Sequence, residues 1–344
     1  MITGSRLERA RNGAGRGLGP NWLLALLVMF ALAQPAAAHA DGLPSWYEGP
    51  VKSRIMRCVE DVTNPALRTF VPPAERIAVF DNDGTLWAEQ PMYFQLAFML
   101  DRVRELAPQH PEWATTEPFK SALAGDLAGV AHTGQRGLVE LTVATHAGTT
   151  NEQFEGTVQH WLGTARHPKF GRRYTELTYA PMLELLRYLR AHGFKTYVVS
   201  GGGVEFVRTF GERIYGIPPE QNVGSSVRTR YGLLEGTPAV QRLPEIEFIN
   251  DGAGKPVGIE RSIGRRPILA FGNSDGDFEM LEYTTSGRGP RLGLILHHDD
   301  AAREYAYDRE SHVGRLDRGL DEAARRGWSI VSMQRDWRTV FGQQ

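Results

Sequence analysis

The chain has 344 residues, 39 Lys+Arg against 40 Asp+Glu, and a single cysteine, Cys58. A balance this even, with no clustered basic excess, argues against a nucleic-acid surface, and one cysteine excludes an internal disulfide framework, so the fold must rest on its core. The length allows one large domain or a domain carrying an insertion.

Arg6, Arg9, Arg11 and Arg16 precede an uncharged run from Trp22 to Ala33, followed by Pro35 and the Ala36-Ala-Ala-His-Ala40 end. Positive region, short apolar core and small-residue end predict a secretory signal over residues 1–40, cleaved after Ala40. The expectation is a periplasmic or secreted protein with no stable membrane anchor after cleavage. The alternative is an uncleaved anchor, against which stand the run's shortness and Pro35.

The next informative stretch is Ile77-Ala-Val-Phe-Asp-Asn-Asp-Gly-Thr-Leu-Trp87. Four small or β-favouring apolar residues predict a buried strand, and Gly84 lets the backbone leave it in a tight loop. Asp81 and Asp83 then sit at the strand's C-terminal end, two residues apart and on one side. Two carboxylates this close call for a cation. Read without context, the same residues also suit an ordinary turn.

From residue 88 to residue 177 the pattern is helical. Tyr93, Leu96, Ala97, Leu100 and Val103 make one face, Phe119, Leu123, Leu127 and Val130 a second, and Phe154, Val158, Trp161 and Leu162 a third behind a capping box of Thr150 and Gln153. His132, His146, His160 and His167 fall in this insertion at spacings that do not read as a metal site. From residue 178 the chain returns to α/β alternation. Pro181 opens a helix closed by Gly193. A strand from Lys195 to Val199 runs into Ser200-Gly-Gly-Gly203. Residues 223–249 predict short strands with turns at Tyr231-Gly232 and Asp251-Gly252. Lys255 follows, then a helix through Ile263 and a strand from Pro267 to Phe271 that ends in Gly272-Asn-Ser-Asp-Gly-Asp277. Runs from Leu292 to Leu296 and from Trp328 to Met333 complete the sheet.

Alternating strands and helices predict an α/β fold with a mostly parallel sheet, in which ligands bind beyond the carboxyl ends of the strands. The Asp81 loop, Ser200 and the Asn273–Asp277 loop should therefore meet on one rim. Together they suit a small-molecule phosphomonoester. Asp81 would attack phosphorus, and Asp83 would protonate the leaving alcohol and later activate water. Ser200 would bond a phosphate oxygen, with Gly201 letting backbone N–H groups approach, and Lys255 would supply fixed positive charge. Mg²⁺ is the cofactor this chemistry calls for.

The four segments, Asp-Asn-Asp-Gly-Thr at 81–85, Ser-Gly-Gly at 200–202, Lys255, and Gly-Asn-Ser-Asp-Gly-Asp at 272–277, resemble the motifs of haloacid dehalogenase superfamily phosphatases. The helical insertion resembles the cap of the phosphoserine phosphatase-like branch. The resemblance implies a Rossmann-like core over 41–87 and 178–344, a cap over 88–177, an aspartyl-phosphate intermediate, and a Mg²⁺ ion held around Asp81, Asp83, Asn273 and Asp277. Asn273 stands where the family usually has an aspartate, and Glu89 stands one residue before the family's cap-proximal glutamate. Asp275 competes with Asn273 as the metal ligand. Two other readings follow from the same residues: another aspartate-nucleophile hydrolase such as a dehalogenase, or an exported phosphate-ligand binding protein. Gly252 to Lys255 does not make a Walker loop, since Pro256 follows. The His297-His298-Asp299-Asp300 run reads as a loop at a strand end, and Arg172-Arg173 as either a substrate contact or a solvated linker.

Overall fold

A computed structural model describes residues 42–342; the secretory signal expected over 1–40 lies outside the described residues. Eight strands form one sheet: β1 Ile77–Phe80, β2 Lys195–Gly203, β3 Asn222–Leu234, β4 Thr237–Phe248, β5 Leu269–Gly272, β6 Leu292–Asp299, β7 Ala306–Tyr307 and β8 Ser329–Ser332. The order is β4-β3-β2-β1-β5-β6-β7, with β8 paired to β6. Strands β3, β2, β1, β5, β6 and β8 are mutually parallel, and only β4 and β7 run antiparallel to their neighbours.

The period of two along β1 explains why the sheet is buried on both faces. Ala78 and Phe80 join one apolar cluster, whereas Ile77 and Val79 join another on the opposite face. This is the expected mostly parallel α/β core, with β1 at its centre and the C-terminal ends of β1, β2 and β5 side by side. Among the described residues no helix is long and apolar enough to cross a membrane.

Helix α1 (Pro50–Thr63) precedes β1, and six helices stand between β1 and β2: α2 Phe94–Leu106, α3 Phe119–Ala124, α4 Leu127–His132, α5 Gly134–His146, α6 Asn151–Thr164 and α7 Ala180–Ala191. The second predicted stripe is broken in the structure. Gly125 takes a left-handed φ of 71° and Asp126 caps the following turn by accepting from the Gly129 N–H, so Phe119 to Val130 forms α3 and α4 rather than one helix. The Thr150–Gln153 capping box opens α6 as expected. The insertion packs on the core through aromatic rings. Phe98 of α2 lies 5.6 Å from Trp161 and 5.6 Å from Phe206, the latter on α8 (Val204–Tyr215). Helix α7 (Ala180–Ala191) leads back into β2 and buries Met182, Leu185, Leu186 and Leu189.

Residues 222–248 differ from the short strands expected there. They form one long hairpin whose reversal is Glu235-Gly236, with φ of 49° and 82°. Two consecutive residues at positive φ are what a two-residue hairpin turn requires. Tyr231 and Gly232, expected to turn, are instead paired with Val240 and Ala239.

This hairpin clamps the insertion. The Arg242 side chain, 1 % exposed, donates to the carbonyl of His146 at 2.8 Å and to Asn151 Oδ1 at 3.1 Å, and pairs with Glu205 at 3.4 Å. Its backbone bonds Gly148 and Thr149, and its guanidinium lies 4.3 Å from the Phe154 ring centre. Removing one partner of such a buried set typically loses about 3–5 kcal/mol. Arg242→Ala is therefore expected to lower the unfolding free energy by about 3 kcal/mol in urea titration; a loss under about 0.5 kcal/mol would show that the clamp contributes nothing.

Candidate active site

The C-terminal ends of β1, β2 and β5, with the first turn of α9 (Gly254–Ile263), converge on one buried cation. Lys255 Nζ donates to Asp81 Oδ1 at 2.6 Å and to Asp277 Oδ1 at 2.5 Å, and the three side chains are 2 %, 9 % and 0 % exposed. Burial alone would lower the Lys255 ammonium, but Asp277 and Asp81 outweigh it and hold its pKa above the ordinary value. One positive charge serves two carboxylates. Burial and the neighbouring Asp277 accordingly push Asp81 well above the usual carboxylate range, against the opposing pull of Lys255. Asp81 Oδ2 receives no hydrogen bond from the described residues.

Asp83 lies beside this pair. Its Oδ1 accepts from Trp87 Nε1 at 2.8 Å, and burial raises its pKa more than that bond lowers it. The loop between them needs glycine at position 84 twice over. Its φ is 72°, and a Cβ there would lie 2.2 Å from Asn273 Nδ2 and 2.3 Å from Glu89 Oε1.

The Asn273–Asp277 loop divides its polar residues in a way that spacing alone does not show. Asp277 Oδ2 accepts from the backbone N–H groups of Asn273 and Ser274, while Oδ1 takes Lys255. Asp277 was expected around the metal; both of its oxygens are instead occupied in holding the lysine and the loop. Asp275 faces away from Lys255 and accepts from the N–H groups of Asp317, Arg318 and Gly319, at the start of α11 (Arg318–Arg326), the helix after α10 (Phe278–Thr285). Asn273 is 1 % exposed; its Oδ1 accepts from Thr85 Oγ1 at 2.9 Å and its Nδ2 donates to Glu89 Oε1 at 2.7 Å.

Ser200 and the glycines after it lie within β2 rather than after it. Ser200 is fully buried; its Oγ accepts from the Gly202 N–H, and Asn250 Nδ2 donates to its carbonyl. Gly201 lines the cavity below, whereas the Ser200 side chain stands behind it.

Several contributors were missed. Glu89 is buried in the site and accepts from both Asn273 and Tyr307, and burial pushes it well above its ordinary pKa. His298, in the run expected to be a loop, belongs to β6; its Nε2–H donates to the Gly84 carbonyl and its ring stacks on Tyr307. Gln95 and His146 tie β2 to the insertion: the Gly203 N–H donates to Gln95 Oε1, and Gln95 Nε2 donates to His146 Nε2. His146 Nδ1–H then donates to Thr145, which fixes the tautomer. Burial, helped by Arg242, pushes the His146 pKa down to about 3, so it stays neutral. The apolar neighbours of Gln95 and the i, i+1 Thr-His pair gave no signal of this contact.

A cavity of about 320 Å³ opens over Asp81, Asp83 and Lys255 and extends between α2, α5 and the β3–β4 hairpin. Among the described residues no group of three or more His, Cys, Asp or Glu side chains is arranged to hold a metal ion.

In this architecture an aspartate at the end of the central strand faces a cavity. The model of the haloacid dehalogenase-like hydrolase family matches residues 78–282, and the chain belongs to that family. No curated protein sequence matches the chain. Among solved structures it is similar to a conserved functionally unknown protein from Anaerococcus prevotii DSM 20548 (17% identity, 82% of this chain and 91% of that one, TM-score 0.47). It is also similar to a protein with unknown function from Bordetella pertussis Tohama I (15%, 75% and 98%, 0.45) and to a phosphoserine phosphohydrolase-like protein from Francisella tularensis subsp. tularensis SCHU S4 (16%, 73% and 98%, 0.39). Likenesses of this strength define no activity.

The Asn273–Glu89 contact carries a prediction. Asn273→Asp sets a second carboxylate against Glu89, and an acid whose folded pKa is raised loses stability as pH rises. The variant is expected to lose roughly 1–3 kcal/mol at pH 8 and less at pH 5, because the repulsion between the two carboxyls builds as pH rises. Added Mg²⁺ should restore more of its thermal stability than it adds to wild type, because the new charge favours a hard cation. Equal melting temperatures for variant and wild type at both pH values, with or without Mg²⁺, would contradict the contact.

Proposed function

We propose that the chain is a Mg²⁺-dependent phosphomonoester hydrolase that works through an aspartyl-phosphate on Asp81. The observation that carries this is the Lys255 bridge, which holds Asp81 by one oxygen and leaves Oδ2 to attack. The family is one of hydrolases, and the helical insertion after β1 fits its phosphoserine phosphatase-like branch.

The donors fit the ion. Asp81 and Asp83 are hard oxygen ligands at the cavity floor, and Mg²⁺ is commonly held by one or two carboxylates together with substrate phosphate. Asn273 Oδ1 keeps a second lone pair beyond the one that Thr85 uses. Asp81, Asp83, Asp251 and Asp277 all act on Lys255 and Glu89 lies beside Asp81 and Asp83, so further positive charge suits the site. When bound, Mg²⁺ supplies charge neutralisation for the phosphate.

The chain's own residues perform the transfer. Asp81 Oδ2 forms a bond to phosphorus as the bond to the alcohol oxygen breaks. Asp83, whose pKa burial raises, gives a proton to that oxygen. As a carboxylate it then takes a proton from water, which attacks phosphorus and releases Asp81 and inorganic phosphate. Lys255 opposes charge building on Asp81 and the phosphoryl oxygens. Gly201, which lines the cavity, is assigned to the phosphate, and the buried Ser200 behind it holds the Gly202 N–H rather than reaching the phosphate directly. The expected signal would place this reaction outside the cytoplasm.

Purified protein is expected to hydrolyse simple phosphomonoesters with Mg²⁺ and to lose activity on chelation. Asp81→Asn should lower turnover by at least about 10³-fold, since loss of a nucleophile is not rescued by binding. Wild-type turnover by Asp81→Asn would refute the mechanism. Phosphate binding without turnover by wild type would favour the binding-protein reading, and halide release from a haloacid the dehalogenase reading.

A further inference from the structure

The wall of the cavity, beyond the acids at its floor, comes from three parts of the chain. Helix α2 supplies Leu96 and Met99, α5 supplies Leu138 and Val139, and the β3–β4 hairpin supplies Val227 and Ile246. The two cations lining it are already engaged. Lys255 is held between Asp81 and Asp277, and Arg242 by the His146 carbonyl, Asn151 and Glu205. The other charged residues along the wall, Glu89, Asp251 and the Glu205 already paired with Arg242, are acids. An alcohol carrying a carboxylate or a second phosphate would therefore enter a largely apolar space with no free counter-charge, beside like charges. An apolar alcohol meets matching surface instead. At about 320 Å³ the cavity is at the small end of the roughly 300–1,000 Å³ typical of small-molecule sites, which suits a short alkyl chain or a single ring.

We infer that the substrate is a phosphomonoester of a small apolar alcohol bearing no acidic group, selected by the wall that α2, α5 and the β3–β4 hairpin form together. This rests on the phosphomonoester reading of the Asp81 site. It also sets the chain apart from an enzyme for phosphoserine, whose carboxylate finds no free cation here.

The test compares n-butyl phosphate with phosphoserine and phosphoglycolate, whose alcohols are the more acidic, so leaving-group chemistry alone does not favour n-butyl phosphate. Wild type with Mg²⁺ is expected to show kcat/KM roughly a hundredfold higher for n-butyl phosphate, since burying an unpaired charge is strongly disfavoured. Binding of the non-hydrolysable n-pentylphosphonate and 2-amino-4-phosphonobutanoate, measured by calorimetry, should follow the same order. Leu138 is 40 % exposed, so Leu138→Lys is compatible with folding; it should raise kcat/KM for phosphoglycolate about tenfold and narrow the gap. If phosphonates bind in this order while no ester turns over, the wall is as inferred and the hydrolase reading fails. Equal or preferred use of the acidic esters, or tighter binding of the acidic phosphonate, would overturn the inference.

Discussion

One lysine charge shared by two buried carboxylates is the constraint from which the rest of the site follows. Lys255 can neutralise one acid fully or two in part, and Asp277, with two backbone N–H groups on its other oxygen, is the better satisfied of the two. Asp81 is left with one oxygen held and one open. The fold delivers this because β5 lies directly beside β1, with Phe80 in register with Phe271, so that the loops leaving these strands are adjacent. Helix α9 then needs only its first turn nearby for Lys255 to reach both.

Around that centre a second layer fixes the loop geometry. Glu89 receives Asn273 and Tyr307, Tyr307 stacks on His298, and His298 holds the Gly84 carbonyl. The chain of bonds closes on the tight turn that carries Asp83. On the other side, Gly203, Gln95, His146 and Thr145 form a continuous run of hydrogen bonds from β2 into α5. The neutral His146 suits this run, since an imidazolium could not accept from Gln95. The wall over the site and the strand end beneath it are thus linked by directional bonds as well as by the Phe98 and Phe206 rings.

What could be read from the sequence was what local rules control. Ile77–Phe80 ends in two acids, and strand ends in parallel sheets gather ligands, so Asp81, Asp83 and the 273–277 loop were placed together without coordinates. Tyr307, His298, Asn250 and Arg242 were not, because each acts through a partner far away in the chain, up to 218 residues for Tyr307, and Glu89 stood out only as an acid one residue before the family's cap-proximal glutamate. The hairpin was misread because Tyr231-Gly232 has turn chemistry while the true reversal depends on Glu235 accepting a positive φ. Asp275 and Asp277 are equivalent by composition; only the packing of α11 against the loop draws one outward and leaves the other on Lys255.

The central claim is that Asp81 becomes covalently phosphorylated. Wild type mixed with n-butyl phosphate and Mg²⁺, quenched in acid within milliseconds and digested, is expected to yield a peptide spanning residues 77–87 heavier by one phosphoryl group, located on Asp81 and removed by hydroxylamine. Turnover with no phosphoryl group on that peptide at any quench time, or with the group on a different residue, would contradict the account.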